Sequence, residues 1–267
     1  GIRDLVRSRG LGDVYKRQVV DLTMPEDNPG TVAGEYVYNH PCAMYNEADF
    51  TRVKKMLDDG TAPVMVKTEL ANLKNSPYTS LTYTPSPQEE IVRGEATGTI
   101  PGKENYSYAM KDAAAAYQTA LLWKLTGDVK YADLSVKILN AWADVCKRIT
   151  SNDANQMLAA GCQGYTFANA AEIMQTYEGW SANDIADFKT WIVNVFASKN
   201  KDFLDNHQGT NNCSLHYWSN WDLVNMCSYL AIGILTENND MVNFVVNYFY
   251  SGVGNGCISN LIQATFD

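Results

Sequence analysis

Two kinds of helical segment alternate along this chain, and this alternation constrains its fold more than any other feature. Residues 105–125 are rich in alanine and apolar nearly all the way round, which is typical of a helix buried on most sides. The next segment is one-sided, with a stripe at three- and four-residue steps through Tyr131, Leu134, Ile138, Trp142 and Val145. Between the two segments, Gly127 predicts a helix end and Asp128 predicts a helix cap.

The same alternation returns further along the chain. Residues 163–177 are rich in small side chains, and Ser181 then opens an amphipathic pattern through Ile185, Phe188, Ile192 and Phe196. Two more helical segments follow at residues 218–235 and, after the capping cluster Asn238-Asn239-Asp240, at 241–252. With candidates at residues 47–57 and 62–74, the sequence predicts eight helices in four hairpins.

Such a pattern predicts an all-α fold, an (α/α) toroid in which inner helices are wrapped by outer ones. Four hairpins would not close such a ring, and the chain ends at NLIQATFD without a clear final helix. We therefore expect an incomplete toroid, truncated at its C-terminus. Residues 76–103, rich in Pro, Gly, Ser and Thr, show no periodicity and are predicted to be a long loop.

Residues 1–18 are excluded from this reading. Their string GLGDVYKRQ looks like translated sequencing-adapter sequence, and they lack the apolar central region of an export signal. We expect them to be artefactual or non-native, and we expect residues 19–267 to form one domain.

Composition excludes several classes of function. The net charge of -9 argues against a nucleic-acid surface. The sequence contains no run of about 18 apolar residues, so no membrane span is predicted. The six cysteines show no CxxC spacing, so neither a metal site nor a redox motif is expected, and buried thiols are favoured over disulfides. No cofactor is predicted, and the oligomeric state stays open.

The segment GTNNCSLHYWSNWDL, residues 209–223, carries the clearest chemical signal. Of the three histidines, only His216 lies among asparagines, a tyrosine and tryptophans. Amide and imidazole groups neutralise a carboxylate by hydrogen bonding, without a metal, and indole and phenol rings offer apolar faces to sugars. This mixture suits a site for a sugar acid.

Four motifs in order, HPCAMYNEADFTRVKKML (40–57), DAAAAYQTALLWKLTGDVKYADLSVKILNAWA (112–143), AGCQGYTFANAAEIM (160–174) and NNCSLHYWSNWDL (211–223), resemble the alginate lyase superfamily. The likeness spans roughly residues 40–258 and is greatest to polysaccharide lyase family 38. It implies an (α/α) toroid that cleaves alginate, or else glucuronan, by β-elimination. The expected partner is an anionic polysaccharide, and the expected location is periplasmic or secreted.

The resemblance also implies site residues. His216 matches the family's active-site histidine, and Asn212, in preference to Asn211, matches the asparagine that neutralises the substrate carboxylate. In related families the asparagine often stands directly before the histidine, whereas here Cys213, Ser214 and Leu215 intervene. The catalytic tyrosine and arginine are expected beyond Asp267, so the fragment is predicted to lack part of its catalytic site.

Six residues are candidates for substrate binding. Tyr217 follows the histidine and is predicted to have a subsite or packing role, and Trp218 is a candidate sugar platform. Asn211 either contacts substrate or caps the following helix. Gln163, Tyr165 and Asn169 either line the cleft or satisfy buried groups between packed helices.

Three other readings stay open. Cys213 beside His216 would suit a thiol nucleophile, although no other feature supports that chemistry. A toroidal glycoside hydrolase would need two carboxylates across the scissile bond, for which Asp222 and Glu172 are available. A non-catalytic glycan-binding protein would have the same architecture.

Overall fold

Helices form most of the regular structure in this computed structural model, which describes residues 33–94, 104–151, 153–207 and 216–262. They are α1 (Glu47–Asp58), α2 (Val64–Lys74), α3 (Tyr106–Thr126), α4 (Val129–Val145), α5 (Asn155–Met174), α6 (Ala182–Ile192), α7 (Ser198–Asn206), α8 (Ser219–Leu235), α9 (Asn239–Ser251) and α10 (Ile258–Leu261). A π-helical stretch, Val193–Ala197, joins α6 to α7, and Pro77–Thr79 form a 3₁₀ turn. The expected boundary at Gln18 lies outside the described residues.

Local sequence sets the helix boundaries, as the capping residues predicted. Gly127 ends α3 in the left-handed region at φ 76°, where glycine carries no steric penalty. The Asp128 side chain accepts a hydrogen bond from the Lys130 amide at the start of α4. Ser181 caps α6 and Asn238 caps α9 in the same way.

The longer helices pack in two layers. Helices α3, α5 and α8 lie side by side, with α5 and α8 in the closest association. Helix α4 packs on α3, α9 packs on α8, and α7 contacts both α5 and α8. The predicted buried helices are therefore the inner ones and the predicted one-sided helices cover them, so the all-α prediction is confirmed.

Aromatic side chains fill the space between the layers. Phe167 of α5 is fully buried, and its ring lies 5.6 Å from that of Trp142 and 5.6 Å from that of Trp191. Small residues bring α5 and α8 together, since a Cβ atom at Gly161 would stand 2.7 Å from a methyl group of Val224. This packing places the start of α8 against the rest of the inner layer.

Two short strands were not predicted. Strand β1 (Glu90–Val92), which lies inside the stretch 76–103 predicted to be loop, pairs in parallel with β2 (Arg148–Thr150). The Asn105 side chain accepts from the Val92 amide at 2.7 Å and donates to the Glu90 carbonyl at 2.9 Å. Three residues are too few to show a period of two, which is why the pattern could not reveal this strand.

The cysteines are less uniformly buried than expected. Cys146 and Cys257 are buried, whereas Cys162 and Cys227 are exposed, so the expectation of buried thiols is wrong for the latter pair. The five cysteines of the described residues are free thiols. Across the same part of the chain, none of the helices combines the length and apolar character needed to cross a membrane.

Candidate functional site

Three residues of the predicted site motif stand directly before helix α8. His216 is exposed, and its ring lies edge-on to that of Tyr217 at 5.0 Å. Trp218 occupies the N-cap position with 80% of its surface exposed, and its side chain makes no capping hydrogen bond. An imidazole and an indole therefore face solvent at the N-terminal end of a 17-residue helix.

Tyr217 anchors this segment. It is buried, and its ring packs 5.1 Å from Phe203 and 5.0 Å from Trp221. Its carbonyl accepts a hydrogen bond from the Asn255 side-chain Nδ2 at 2.7 Å. Because burial keeps the phenol away from solvent, Tyr217 holds its two exposed neighbours in place.

A polar depression adjoins Trp218. It encloses about 190 Å³ and is lined by Trp218, Ser219, Asn255, Asn260 and Leu261. Indole and amide groups are the surfaces by which proteins bind sugar rings and hydroxyls. The asparagines of this depression come from the segment after α9 and were not predicted from the sequence.

Beneath this surface lies a buried hub centred on Asp222. Its carboxylate accepts hydrogen bonds from His207 Nε2 at 2.7 Å, Tyr248 Oη at 3.1 Å and the Gly256 amide at 2.9 Å. Burial, followed by the charge of Asp222, raises the pKa of Tyr248, so its phenol stays protonated and donates. The hub joins the end of α7 to α8 and α9, and sequence spacing does not reveal it, since these partners lie 15 to 41 residues apart.

Asn211, Asn212 and Cys213 lie outside the described residues. The predicted carboxylate-neutralising role of the two asparagines therefore stays a prediction, as does the thiol-nucleophile alternative.

The three candidates on α5 lie away from solvent to different degrees. Gln163 and Asn169 are buried, at 3% and 4% exposure, and Asn169 donates to the Tyr165 carbonyl one turn earlier at 2.8 Å. Tyr165 is half-buried, with its hydroxyl 2.7 Å from the Met44 sulfur. Within the described residues the Gln163 Oε1 atom has no hydrogen-bond partner. The Asn169 contact is of the kind expected for a polar group satisfied between packed helices, whereas the Gln163 oxygen is not satisfied in this way.

The two carboxylates considered for a hydrolase are also buried. Asp222 has no exposed surface and Glu172 has 2%. Asp222 lies in the first turn of α8. Glu172 lies in the last turn of α5, and His40 bridges it to Glu237, which follows the end of α8. About 15 residues of helix at 1.5 Å each separate these two positions by roughly 20 Å or more, beyond the roughly 5 to 10 Å that glycoside hydrolysis needs.

The start of α8 combines the positive end of a helix dipole with the buried carboxylate of Asp222 in its first turn. The first amides of a helix have no partners within the helix, and they carry the positive end of its dipole. The Trp218 side chain makes no capping bond, the Trp221 amide donates to the Trp218 carbonyl at 2.9 Å, and the exposed His216 stands beside this helix end.

Comparisons with known proteins bear on the fold and the family. The structure is similar to the crystal structure of alginate lyase A1-III from Sphingomonas species A1, with a TM-score of 0.59 and 18% identity over 80% of this chain and 60% of that chain. It is also similar to a tyrosine-to-phenylalanine variant of alginate lyase A1-III complexed with tetrasaccharide, with a TM-score of 0.58 and 17% identity over 80% and 59% of the two chains. The chain thus spans about three-fifths of the length of these neighbours and shares their (α/α) toroid fold.

A comparison with curated proteins finds none that matches. The family model described as "Alginate lyase" matches residues 64–259, well over half of the chain. The expected superfamily is confirmed, while the assignment to polysaccharide lyase family 38 stays a prediction. The chain therefore belongs to the alginate lyase family.

Proposed function

We propose that this chain carries the carboxylate-binding part of a polysaccharide lyase, which cleaves a uronate polysaccharide by β-elimination, with alginate preferred over glucuronan. The observation that carries the proposal is the exposed His216 and Trp218 pair at the N-terminal end of α8, in a chain of the alginate lyase family. An imidazole, helix amides and an indole together suit a ring that carries a carboxylate.

The chemistry explains why such groups are needed. Removing the proton at C5 of a uronate places a second negative charge on the carboxylate side of the ring, so donors must stabilise that charge as it develops. In our proposal His216 and Asn212 hold the carboxylate, and Asn211 and Trp218 contact neighbouring sugar residues of the polysaccharide. A base then takes the proton, and an acid protonates the leaving oxygen.

Tyr217 is a poor candidate for that base, because it is buried and its ring is packed between aromatic neighbours. We assign it to holding His216, and we expect the proton-transferring tyrosine and its arginine from elsewhere in the full-length protein. Gln163 and Asn169 support the inner layer in this proposal, and Tyr165 is the member of that group nearest to solvent.

The burial of Asp222 and Glu172 argues against the hydrolase alternative, because neither carboxylate reaches the surface near Trp218. A non-catalytic glycan-binding protein is the remaining alternative. A lyase of this class would meet its polymeric substrate outside the cytoplasm, so we retain the prediction of a periplasmic or secreted location.

Substitution of His216 tests the proposal. With the full-length protein, His216→Ala should lower kcat on alginate by about 100- to 1,000-fold, the usual cost of removing one donor of this kind. His216→Gln keeps an amide donor at the same place and should retain more turnover than the alanine variant. Full turnover in His216→Ala, with an unchanged melting temperature, would remove this residue from the site.

A substrate panel tests the preference separately. We expect the absorbance of the unsaturated product to rise fastest with alginate and more slowly with glucuronan. It should not rise with neutral glycans, since these have no carboxylate to hold. Equal rates on neutral glycans would contradict the proposed role of the helix end and His216.

A further inference from the structure

We propose that His40, Cys42 and Glu172 form a binding site for one divalent transition-metal ion, with Zn²⁺ as the best chemical match. This site lies beside the end of α8, whereas His216 precedes the start of the same helix. The 17 residues of α8 at about 1.5 Å each place the two roughly 25 Å apart. The inference is therefore independent of the proposed lyase activity.

The donor atoms already converge. One atom from each of the three side chains lies within 4.8 Å of the others. His40 Nδ1 is 2.8 Å from a Glu172 oxygen and 3.9 Å from the Cys42 sulfur. Zn²⁺ bonds of about 2.0 to 2.3 Å in a tetrahedron require ligand separations of roughly 3.5 Å, so a small side-chain rotation suffices. Nitrogen, sulfur and carboxylate oxygen are the donors that Zn²⁺ takes in proteins.

The second nitrogen of His40 has the partner that a metal ligand usually has. Nε2 lies 3.1 Å from a Glu237 oxygen, on the opposite side of the ring from Nδ1. A histidine that binds a metal through one nitrogen commonly donates its other N–H to a carboxylate, which fixes the ring orientation. Glu237 thus orients His40, while Nδ1 faces the proposed ion.

Glu237 is also held in an unusual backbone conformation. Its φ of 55° lies in the left-handed region, which favours glycine, and it directly follows the last turn of α8. A glutamate at such a position is strained. Its contact with His40 is a functional reason for the strained conformation.

The electrostatics of the cluster favour a cation. Glu172 is buried in the last turn of α5, and Glu237 follows α8, so the negative ends of two helix dipoles meet here. The Cys42 backbone amide donates to a Glu172 oxygen at 2.8 Å, which directs this buried carboxylate towards the cluster.

The ion would tie the segment before α1 to the inner layer. This segment is otherwise held to α9, where Tyr38 Oη donates to Asn239 at 2.8 Å and the Gly34 amide donates to Asn243 at 2.9 Å. A water molecule would complete the coordination, and Gln175, whose Nε2 donates to Glu172 at 2.9 Å, would hold the carboxylate in place.

Titration of the chelator-treated full chain with Co²⁺ tests the site. We expect one ion per chain and a thiolate-to-cobalt charge-transfer band, which Cys42→Ala should abolish. Cys227→Ala, which removes an exposed thiol on α8, is the matched control and should keep the band. Glu237→Gln should keep the stoichiometry and weaken Zn²⁺ binding by about 10- to 100-fold.

Thiol alkylation of the unmodified protein gives a second readout that does not depend on a variant folding. Zn²⁺ should slow alkylation of Cys42, measured by peptide mass spectrometry, and leave the exposed Cys162 and Cys227 unaffected. The proposal is overturned if Co²⁺ and Zn²⁺ show no saturable binding, if the cobalt band persists in Cys42→Ala, or if Zn²⁺ protects the three thiols equally.

Discussion

Trp218 exposes 80% of its surface, although tryptophan is usually among the more buried residues. Its neighbour Trp221 packs against Tyr217 at 5.0 Å, so two tryptophans three residues apart have different roles. Helical spacing alone favours the core for both. The cap position of Trp218, one residue before α8 begins, explains why this indole faces outward.

Replacing Trp218 by alanine should therefore weaken substrate binding with little effect on the chemical step. Loss of an aromatic contact worth about 0.5 to 1.5 kcal/mol predicts a rise in KM of roughly 2- to 12-fold. Trp218→Phe keeps a ring face and should recover much of the loss. Steady-state kinetics on alginate would contradict this role if KM were the same in all three proteins.

Asp222 should contribute strongly to stability. It is fully buried and accepts from His207, Tyr248 and the Gly256 amide, so Asp222→Asn replaces one acceptor oxygen by a donor. We expect a loss of about 2 to 3 kcal/mol in the free energy of unfolding, measured by urea denaturation. Asp187→Asn, an exposed carboxylate on α6, is the control and should change it little. A loss below about 0.5 kcal/mol at Asp222 would show that the hub does not hold α7, α8 and α9 together.

At the scale of elements, the contact between α5 and α8 depends on glycine. A Cβ atom at Gly161 would lie 2.7 Å from a Val224 methyl group and 3.1 Å from the Val224 carbonyl carbon. Alanine favours a helix over glycine by about 1 kcal/mol, whereas forcing a methyl group into a packed interface costs about 1 to 3 kcal/mol. The steric cost should therefore prevail.

A double-mutant cycle tests this packing. Gly161→Ala should lower the free energy of unfolding, and Val224→Ala in the same chain should recover part of the loss by removing the methyl groups that clash. We expect a coupling energy of about 0.5 to 3 kcal/mol between the two positions. Strictly additive effects would mean that the two helices do not meet at these residues.

The helices themselves were predictable because their signals are local. Gly127, Asp128, Ser181 and Asn238 mark boundaries within a few residues of chain, and the apolar stripes distinguish inner from outer helices. The strand β1 escaped prediction because three residues carry no measurable period.

At the scale of the whole molecule, the sequence predicted the fold class and the superfamily, but not the contacts between distant segments. His40 and Glu172 are 132 residues apart, so no spacing rule could bring them together. The absence of a CxxC motif led to the prediction of no metal site, but that rule considers only ligands that are close in sequence and does not address the site proposed at His40, Cys42 and Glu172. The hub at Asp222 escaped prediction for the same reason.

The site was predictable in part. His216 and Trp218 stand out by composition, and the structure leaves both exposed at one helix end. Tyr165 and Asn169 share a face of α5 by their four-residue spacing, and Gln163 precedes them, but this spacing does not show that Gln163 and Asn169 are buried. Whether these side chains are buried depends on α8, which begins about 50 residues later, so a local sequence pattern cannot predict their burial.

The central claim is that this protein breaks a uronate polysaccharide by elimination. The most direct measurement incubates the full-length protein with alginate and compares two quantities in one reaction, the near-ultraviolet absorbance of unsaturated uronate and the number of new reducing ends. We predict one unsaturated residue for each new reducing end. New reducing ends without that absorbance would contradict elimination and would indicate hydrolysis instead.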